Sequence, residues 1–360
     1  MDRPVSRPDG GSPDLCLRHD PAVPARPAGA GLTLDRLPAH RRDVQTAFGR
    51  ALGPSARLAV TGATGWLGTA MVEMATRAGL TPDNGRLRAF ASRPGRMSLE
   101  DGTTVGLEAL AGAAPLAGGD WVVAHFAALG KDRTADLPVT DYVAQSEALH
   151  NVALRLIAGA DRPRLIFASS GAVYGPNGRP PALADEPYGH MKGLQEAALA
   201  DWCEENSAPL TICRVFNVGG PYGNKLELYA LSSLIRAALA GGDISIRARG
   251  AVLRSYVHVE ELMAVLVGRA RSAWAGASKP FDSGGVEVVE IGDLAAMVCA
   301  QLGVDPARIV RQRDPGAPVS RYAGDGADYQ AAVGELGLTP IGLEAIVSDS
   351  IASLSGRSVR

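Results

Sequence analysis

From Arg57 onward the chain alternates short, predominantly apolar runs with longer segments whose apolar residues recur at helical spacing. The runs are "RLAVTG" (57–62), "LRAFAS" (87–92), "WVVAHFA" (121–127), "RLIFASS" (164–170) and "LTICRVF" (210–216), and each predicts a buried strand. Helices are predicted near 66–79, 135–158 and 189–207. This alternation predicts an α/β fold, a doubly wound parallel sheet with helices on both faces. After Val218 the regularity weakens. A helix at 226–240, a strand pair from "ISIRA" and "VLRSYVHV", and helices at 259–271 and 290–302 predict a smaller C-terminal lobe. Residues 57–218 are therefore expected to form the main domain and 219–360 mainly a substrate-binding lobe. Ligands of open α/β sheets bind outside the carboxyl ends of the strands, where such a lobe closes over them.

Ahead of the first strand the pattern is different. Residues 1–30 are rich in Pro, Gly and Arg without an apolar period, and predict a flexible tail. Residues 31–56 form an extension, in which Leu32 to Leu52 have helical spacing and predict a short docking helix. A net charge of −2, with 46% hydrophobic and 21% charged residues, describes a globular chain with no general attraction to nucleic acid or anionic membrane. The longest apolar runs fall short of the roughly 18–20 residues that span a bilayer, and the amino terminus has no apolar signal core, so a soluble, cytoplasmic protein is expected. Cys16, Cys203, Cys213 and Cys299 are scattered, with no CxxC pair and no histidine at ligand spacing. Free thiols and no metal centre are expected.

The first strand runs into "TGATGWLG" and then a helical segment. Gly62 permits a tight turn, Gly65 lets backbone approach a pyrophosphate, and Gly68 allows close helix–strand packing, with Thr64, Trp66 and Leu67 between them. The helix amino end adds N–H groups and a positive dipole. This is the pattern of a Rossmann dinucleotide site. The second strand ends in Ser92 and Arg93 with no carboxylate for a ribose, which favours NADP, with NAD as the alternative.

"TGATGWLG", "HFAA" (125–128), "SSGAVYG" (169–175), "YGHMK" (188–192), "RVFNVGGPYG" (214–223) and "LRSYVHVEEL" (253–262) occur together in one order. In this the chain resembles the extended short-chain dehydrogenase/reductases, and within them the NAD-dependent epimerase/dehydratase group, of the UDP-galactose 4-epimerase kind, over roughly residues 57 to 340. The resemblance implies a nucleotide-sugar enzyme, with Ala127 at the cofactor, Tyr188 as acid/base, Lys192 as its partner and cofactor ligand, and Ser170 on the sugar oxygen. Tyrosine titrates near 10, and a neighbouring ammonium is expected to lower that value. Asn217 and Arg254 match residues that hold the substrate diphosphate, and Lys131 lies one residue from a cofactor-contacting lysine. His125 is expected to be structural, His190 to face solvent, and Tyr174 to pack near the sugar or in the core. A homodimer through the helices near 135–158 and 189–207 is implied by the same resemblance.

Two departures sharpen the expectation. Dehydratases of the group carry an acidic pair after the catalytic hydroxyl, whereas Ser170 is followed by Gly171, Ala172 and Val173. The absent carboxylate after the second strand leans toward a ketoreductase consuming NADPH, with a 4-epimerase that retains NAD as the alternative. A dinucleotide-binding regulator without catalysis is the competing class, and the intact Ser170, Tyr188 and Lys192 speak against it.

Overall fold

The computed structural model describes residues 34–356, except residues 162, 176–177, 273–275 and 278 and the side chains of 276–277. The predicted tail and Cys16 lie outside the described residues. In chain order come α1 (Ala39–Leu52), β1 (Arg57–Thr61), α2 (Trp66–Arg77), β2 (Leu87–Ala91), β3 (Gly95–Ser98), β4 (Thr104–Ala109) and β5 (Trp121–His125). Next are α3 (Val139–Ile157), β6 (Arg164–Ser170), α4 (Pro187–Glu205), β7 (Pro209–Val215), β8 (Asn217–Gly219), α5 (Ala230–Leu239), β9 (Ile244–Ser245) and β10 (Val252–His258). The chain continues through α6 (Val259–Ser272), β11 (Gly276–Ala277), β12 (Phe281–Asp282), β13 (Val288–Glu290), α7 (Ile291–Leu302), β14 (Ile309–Val310), β15 (Ser320–Tyr322), α8 (Ala327–Glu335) and α9 (Leu343–Ser355).

The main sheet has the order β11-β7-β6-β5-β1-β2-β4-β3, with β12 also on β7. All its pairings are parallel except the β3–β4 hairpin. Side chains of a strand point alternately to opposite faces, and the core divides accordingly. Leu58, Val60, Val122, Ala124 and Ile166 belong to one apolar cluster with α2 and α6 residues, while Ala59, Val123, Leu165 and Phe167 belong to the other. Both faces are covered, so each central strand reads as a continuous apolar run. Helix α1 buries Val44, Phe48 and Leu52 in the first cluster, as the helical spacing of the extension predicts.

The predicted pairing of "ISIRA" with "VLRSYVHV" does not form. Strand β9 pairs with β14, and β10 pairs with β8, β13 and β15. The intervening backbone is taken by the 310–320 segment instead: Ile246 N–H donates to Val310 O, Asp314 N–H to Arg249 O, and Ser320 N–H to Ala251 O. The β3–β4 hairpin and helices α8 and α9 are additional to the predicted elements.

Helix α1 is held by charge as well as by apolar contact. Arg41 meets Glu260 through Nε and Nη2, at 2.7 Å each, and Arg77 of α2 reaches Glu260, Glu100 and Glu73. Burial, reinforced by the charge of Glu100, pushes the Glu73 carboxyl up to about 8. The folded protein therefore holds a proton that the unfolded chain releases above about pH 4.5, and this site's stability contribution falls as pH rises from there toward 8. Glu73→Gln is expected to raise the melting temperature at pH 8 by several degrees and to change it little at pH 5. Melting curves at the two pH values check this, and equal shifts at both would contradict it.

Beside this cluster, His40, His258 and Asp349 bring ligand-type atoms close enough to hold a metal ion. The Nδ1 of His258 accepts the Glu260 N–H at 3.2 Å, so its Nε2 carries the proton and donates to Asp349 Oδ2 at 3.1 Å. The trio is thus a hydrogen-bonded clasp between α1, β10 and α9. Among the described residues no helix is long and apolar enough to cross a membrane, and Cys203, Cys213 and Cys299 are buried free thiols.

Candidate active site

The glycine-rich turn leaves β1 with Gly62 at φ +71° and enters α2 at Gly65. A Cβ at Gly62 would stand 2.7 Å from Ala127 N, and one at Gly68 would stand 2.1 Å from Gly62 O. Neither position has room for a side chain. The turn is therefore pressed against the end of β5 on one side and α2 on the other, leaving its outer face and the α2 amino end for a phosphate group. Thr64 and Gly65 are exposed there, Leu67 is half-buried, and Trp66 is buried with its indole N–H on Pro221 O. Ser92 and Arg93 follow β2 directly and are both exposed.

Strand β6 ends at Ser170, which is nearly buried and caps a short 3-10 turn by accepting the Ala172 N–H at 3.2 Å. Pro187 is the first residue of α4, a position that tolerates its missing N–H, and this puts Tyr188 in the first turn and Lys192 one turn later. Gly189 locks the two elements: a Cβ there would be 2.4 Å from Ala172 O. Lys192 is buried, donates to Ala168 O at 2.8 Å and lies 4.6 Å from the Phe167 ring. The three residues thus converge on one end of β6. Tyr188 and Lys192 also line a small cavity with Leu129, Tyr142, Ser146 and Gln195.

The electrostatics differ from expectation at one point. Burial pushes the Tyr188 phenol above its usual value, opposed by a hydrogen bond with Ser170. The expected lowering by Lys192 does not come from the protein's own groups, because that ammonium is turned to Ala168 O. Lys192 itself is pushed down to about 8 by burial, with Glu196 acting against it.

The remaining predicted residues separate into two sets. Arg254 lies opposite Tyr322 in the β10–β15 register and donates to Leu253 O, Ser320 O and Ser320 Oγ. Asn217 lies near it, but both amide hydrogens go to backbone, Ser255 O and Tyr322 O at 3.0 Å each, so in this arrangement it offers no donor to a phosphate. Lys131 is exposed and ion-paired with Glu186 at 2.9 Å. His125 is buried on Thr61 Oγ1, and burial pushes it down to about 3. His190 is half-buried and donates from Nδ1 to Pro181 O at 3.0 Å, not to solvent.

Two features are additional to the predicted site. The Tyr322 hydroxyl is 3.2 Å from Ser170 Oγ and its ring lies 4.7 Å from that of Phe216. Behind the site, Glu196 takes both forks of Arg214 and the Ser169 hydroxyl, and Arg214 continues through the Tyr174 hydroxyl to Asp282. Glu196 lies one further helical turn beyond Lys192, in the same spacing as Tyr188 and Lys192. No sequence signal pointed to Tyr322.

Comparison with known proteins agrees with this geometry. The model of the NAD dependent epimerase/dehydratase family matches residues 58–278. A UDP-glucose 4-epimerase of Corynebacterium glutamicum is 27% identical over 215 residues, covering 53% of this chain and 63% of that enzyme's length. Among solved structures, MoeE5 in complex with UDP-glucose and NAD aligns with a TM-score of 0.61 at 22% identity, over 83% of this chain and 99% of that one. TunA, an NAD-dependent NDP-hexosamine 5,6-dehydratase, aligns with a TM-score of 0.66 at 18% identity, over 84% and 99%. The likenesses to solved structures establish the doubly wound fold. With the family match running through the glycine-rich turn, Ser170, Tyr188 and Lys192, and spanning more than half of its residues, the chain belongs to the NAD-dependent epimerase/dehydratase family.

Proposed function

We propose that the protein is a nucleotide-sugar 4-epimerase that retains its NAD and moves hydride at one carbon of the sugar. The convergence of Ser170, Tyr188 and Lys192 on the end of β6, beside the glycine-rich turn, carries this reading. Gly62, Thr64, Gly65, Trp66, Leu67, Gly68 and Ala127 would hold the dinucleotide, whose diphosphate suits the exposed face of the turn. When bound, the dinucleotide would supply a reversible hydride acceptor for the sugar carbon.

The chain's own residues handle the proton. Tyr188 Oη removes the hydroxyl proton of the reacting carbon as hydride leaves and gives it back when hydride returns. Ser170 Oγ holds the same oxygen by hydrogen bond, a place where its 3.2 Å contact with Tyr322 now lies. Lys192 supplies positive charge beside the phenolate while its ammonium persists. Arg254 suits a diphosphate oxygen, since its guanidinium has donors beyond those spent on Ser320. Elimination of water is disfavoured because Gly171, Ala172 and Val173 supply no carboxyl group after Ser170, and at Gly171 even a Cβ would stand 2.4 Å from the Phe216 ring.

Exposed Arg93 directly after β2 favours a second reading, a ketoreductase consuming NADPH. The nucleotide released from acid-denatured, freshly purified protein separates them. Near one NAD per chain supports the epimerase, whereas an empty protein that prefers NADPH supports the reductase; binding of neither would end both. A homodimer through α3 and α4 belongs to the same proposal, and Leu194 of α4 is half exposed.

The Lys192 value gives a pH dependence. Its ammonium is present below about 8 and lost above, so kcat/KM is expected to decline on the alkaline side of that value. Glu196→Gln removes the carboxylate that opposes the fall, and the decline is expected to begin at lower pH. An unmoved alkaline limb in the variant would show that Lys192 does not set it.

A further inference from the structure

Tyr222 is one of two described non-glycine residues with positive φ, at +70°. Side chains avoid this region unless surrounding structure holds them in it. Here the holding groups are plain. The buried Tyr222 hydroxyl donates to Glu260 Oε1 at 2.6 Å and accepts from Arg41 at 3.0 Å and Arg77 at 2.9 Å, while its backbone N–H donates to Ser353 Oγ.

The turn that Tyr222 shapes is fitted against the glycine-rich turn on both sides of Gly65. Pro221 O accepts the Trp66 indole N–H at 2.6 Å, and Asn224 Nδ2 donates to Thr64 O at 2.7 Å. A Cβ at Gly223 would meet the Trp66 ring at 3.5 Å. The position of the phosphate-facing backbone therefore depends on the 220–224 turn, and that turn on the cluster around the Tyr222 hydroxyl.

We propose that Tyr222 and Arg41 are positioning residues of the cofactor site, so that helix α1, which precedes the span matched by the family, shapes dinucleotide binding without touching the dinucleotide. The inference rests on the dinucleotide reading of the 62–68 turn. Arg41 is needed because Glu260, Glu100 and Glu73 share this buried space. Arg41 meets Glu260 side-on and also reaches Glu100 and the Tyr222 hydroxyl, while Arg77 reaches Glu260, Glu100, Glu73 and the same hydroxyl. Without it Glu260 and Glu100 lose one of the two guanidinium groups they share, and the contacts that fix the Tyr222 hydroxyl rearrange.

The test compares Tyr222→Phe, Arg41→Met and His40→Ala with wild type, each first freed of any retained nucleotide, by calorimetric titration with NAD and with NADP, alongside amide hydrogen exchange across residues 62–70. His40 neighbours Arg41 on α1 but is engaged with Asp349 of α9, 2.7 Å away, so its loss loosens the helix without touching Tyr222. Tyr222→Phe keeps the ring in its packing if Arg41→Met proves too unstable. The expected result is dinucleotide affinity about fivefold weaker, with faster exchange at 62–70, in Tyr222→Phe and Arg41→Met, and near wild type in His40→Ala. Wild-type affinity in the first two, or an equal loss in His40→Ala, overturns the proposal. If the wild type neither releases nor binds a nucleotide, the dinucleotide reading itself falls and takes the cofactor role with it; that failure shows in the wild-type measurements before any variant is compared.

Discussion

Tyr188→Phe is expected to lower kcat by about 10³-fold, the scale of a lost acid/base group, while dinucleotide affinity stays within about twofold of wild type. The ring remains packed against the Leu129, Tyr142 and Met191 cluster, so the fold loses no apolar contact. What disappears is the only atom of that side chain able to exchange a proton, next to Ser170. The phenol is held protonated by burial in the protein alone, so the rate should also depend on charge brought in with the cofactor. Single-turnover kinetics with a bound-nucleotide titration make the comparison. Turnover within tenfold of wild type would exclude Tyr188 as the proton carrier.

Gly68→Ala should be nearly as severe for a different reason. The added methyl would meet Gly62 O at 2.1 Å, Gly62 C at 2.8 Å and Ala63 Cα at 2.7 Å, all backbone atoms of the turn itself. No flexible side chain is there to move aside, so the turn must open or α2 must lift from β1. Dinucleotide binding is expected to weaken and kcat/KM to fall by about 100-fold, the scale of a misplacement of about 1 Å at a reacting site. Gly334→Ala in α8 is the control. Nothing lies within 4 Å of its Cβ, and alanine favours a helix interior. Equal behaviour of the two variants would mean that the glycine-rich turn is not under the spatial constraint described.

The central strands were legible because parallel strands covered on both faces must be apolar along their whole length. Strand β3 was not, since its "GRMS" is largely exposed and carries no apolar run. The "ISIRA" segment was misassigned because its partners come from 309–320, and local pattern says nothing about which distant segment supplies a strand's neighbour. The site divides in the same way. Ser170, Tyr188 and Lys192 sit in two short motifs whose spacing is set by a strand end and one helical turn. Tyr322 reaches Ser170 from 152 residues away, and only the β10–β15 pairing brings it there. Asn217 shows the opposite limit: its residue type was visible, but the use of both amide hydrogens on backbone was not.

The ends of the main sheet bear on how readily it could be extended by a foreign strand. One edge is the four-residue β3, largely exposed and carrying Arg96, and the other is closed by the two-residue strands β11 and β12. A long, flat, apolar edge invites another chain to add a strand and begin an aggregate. Among the described residues, the strands at either end are short, and β3 carries a charge. These ends thereby give the wide sheet little on which to template growth into a fibre.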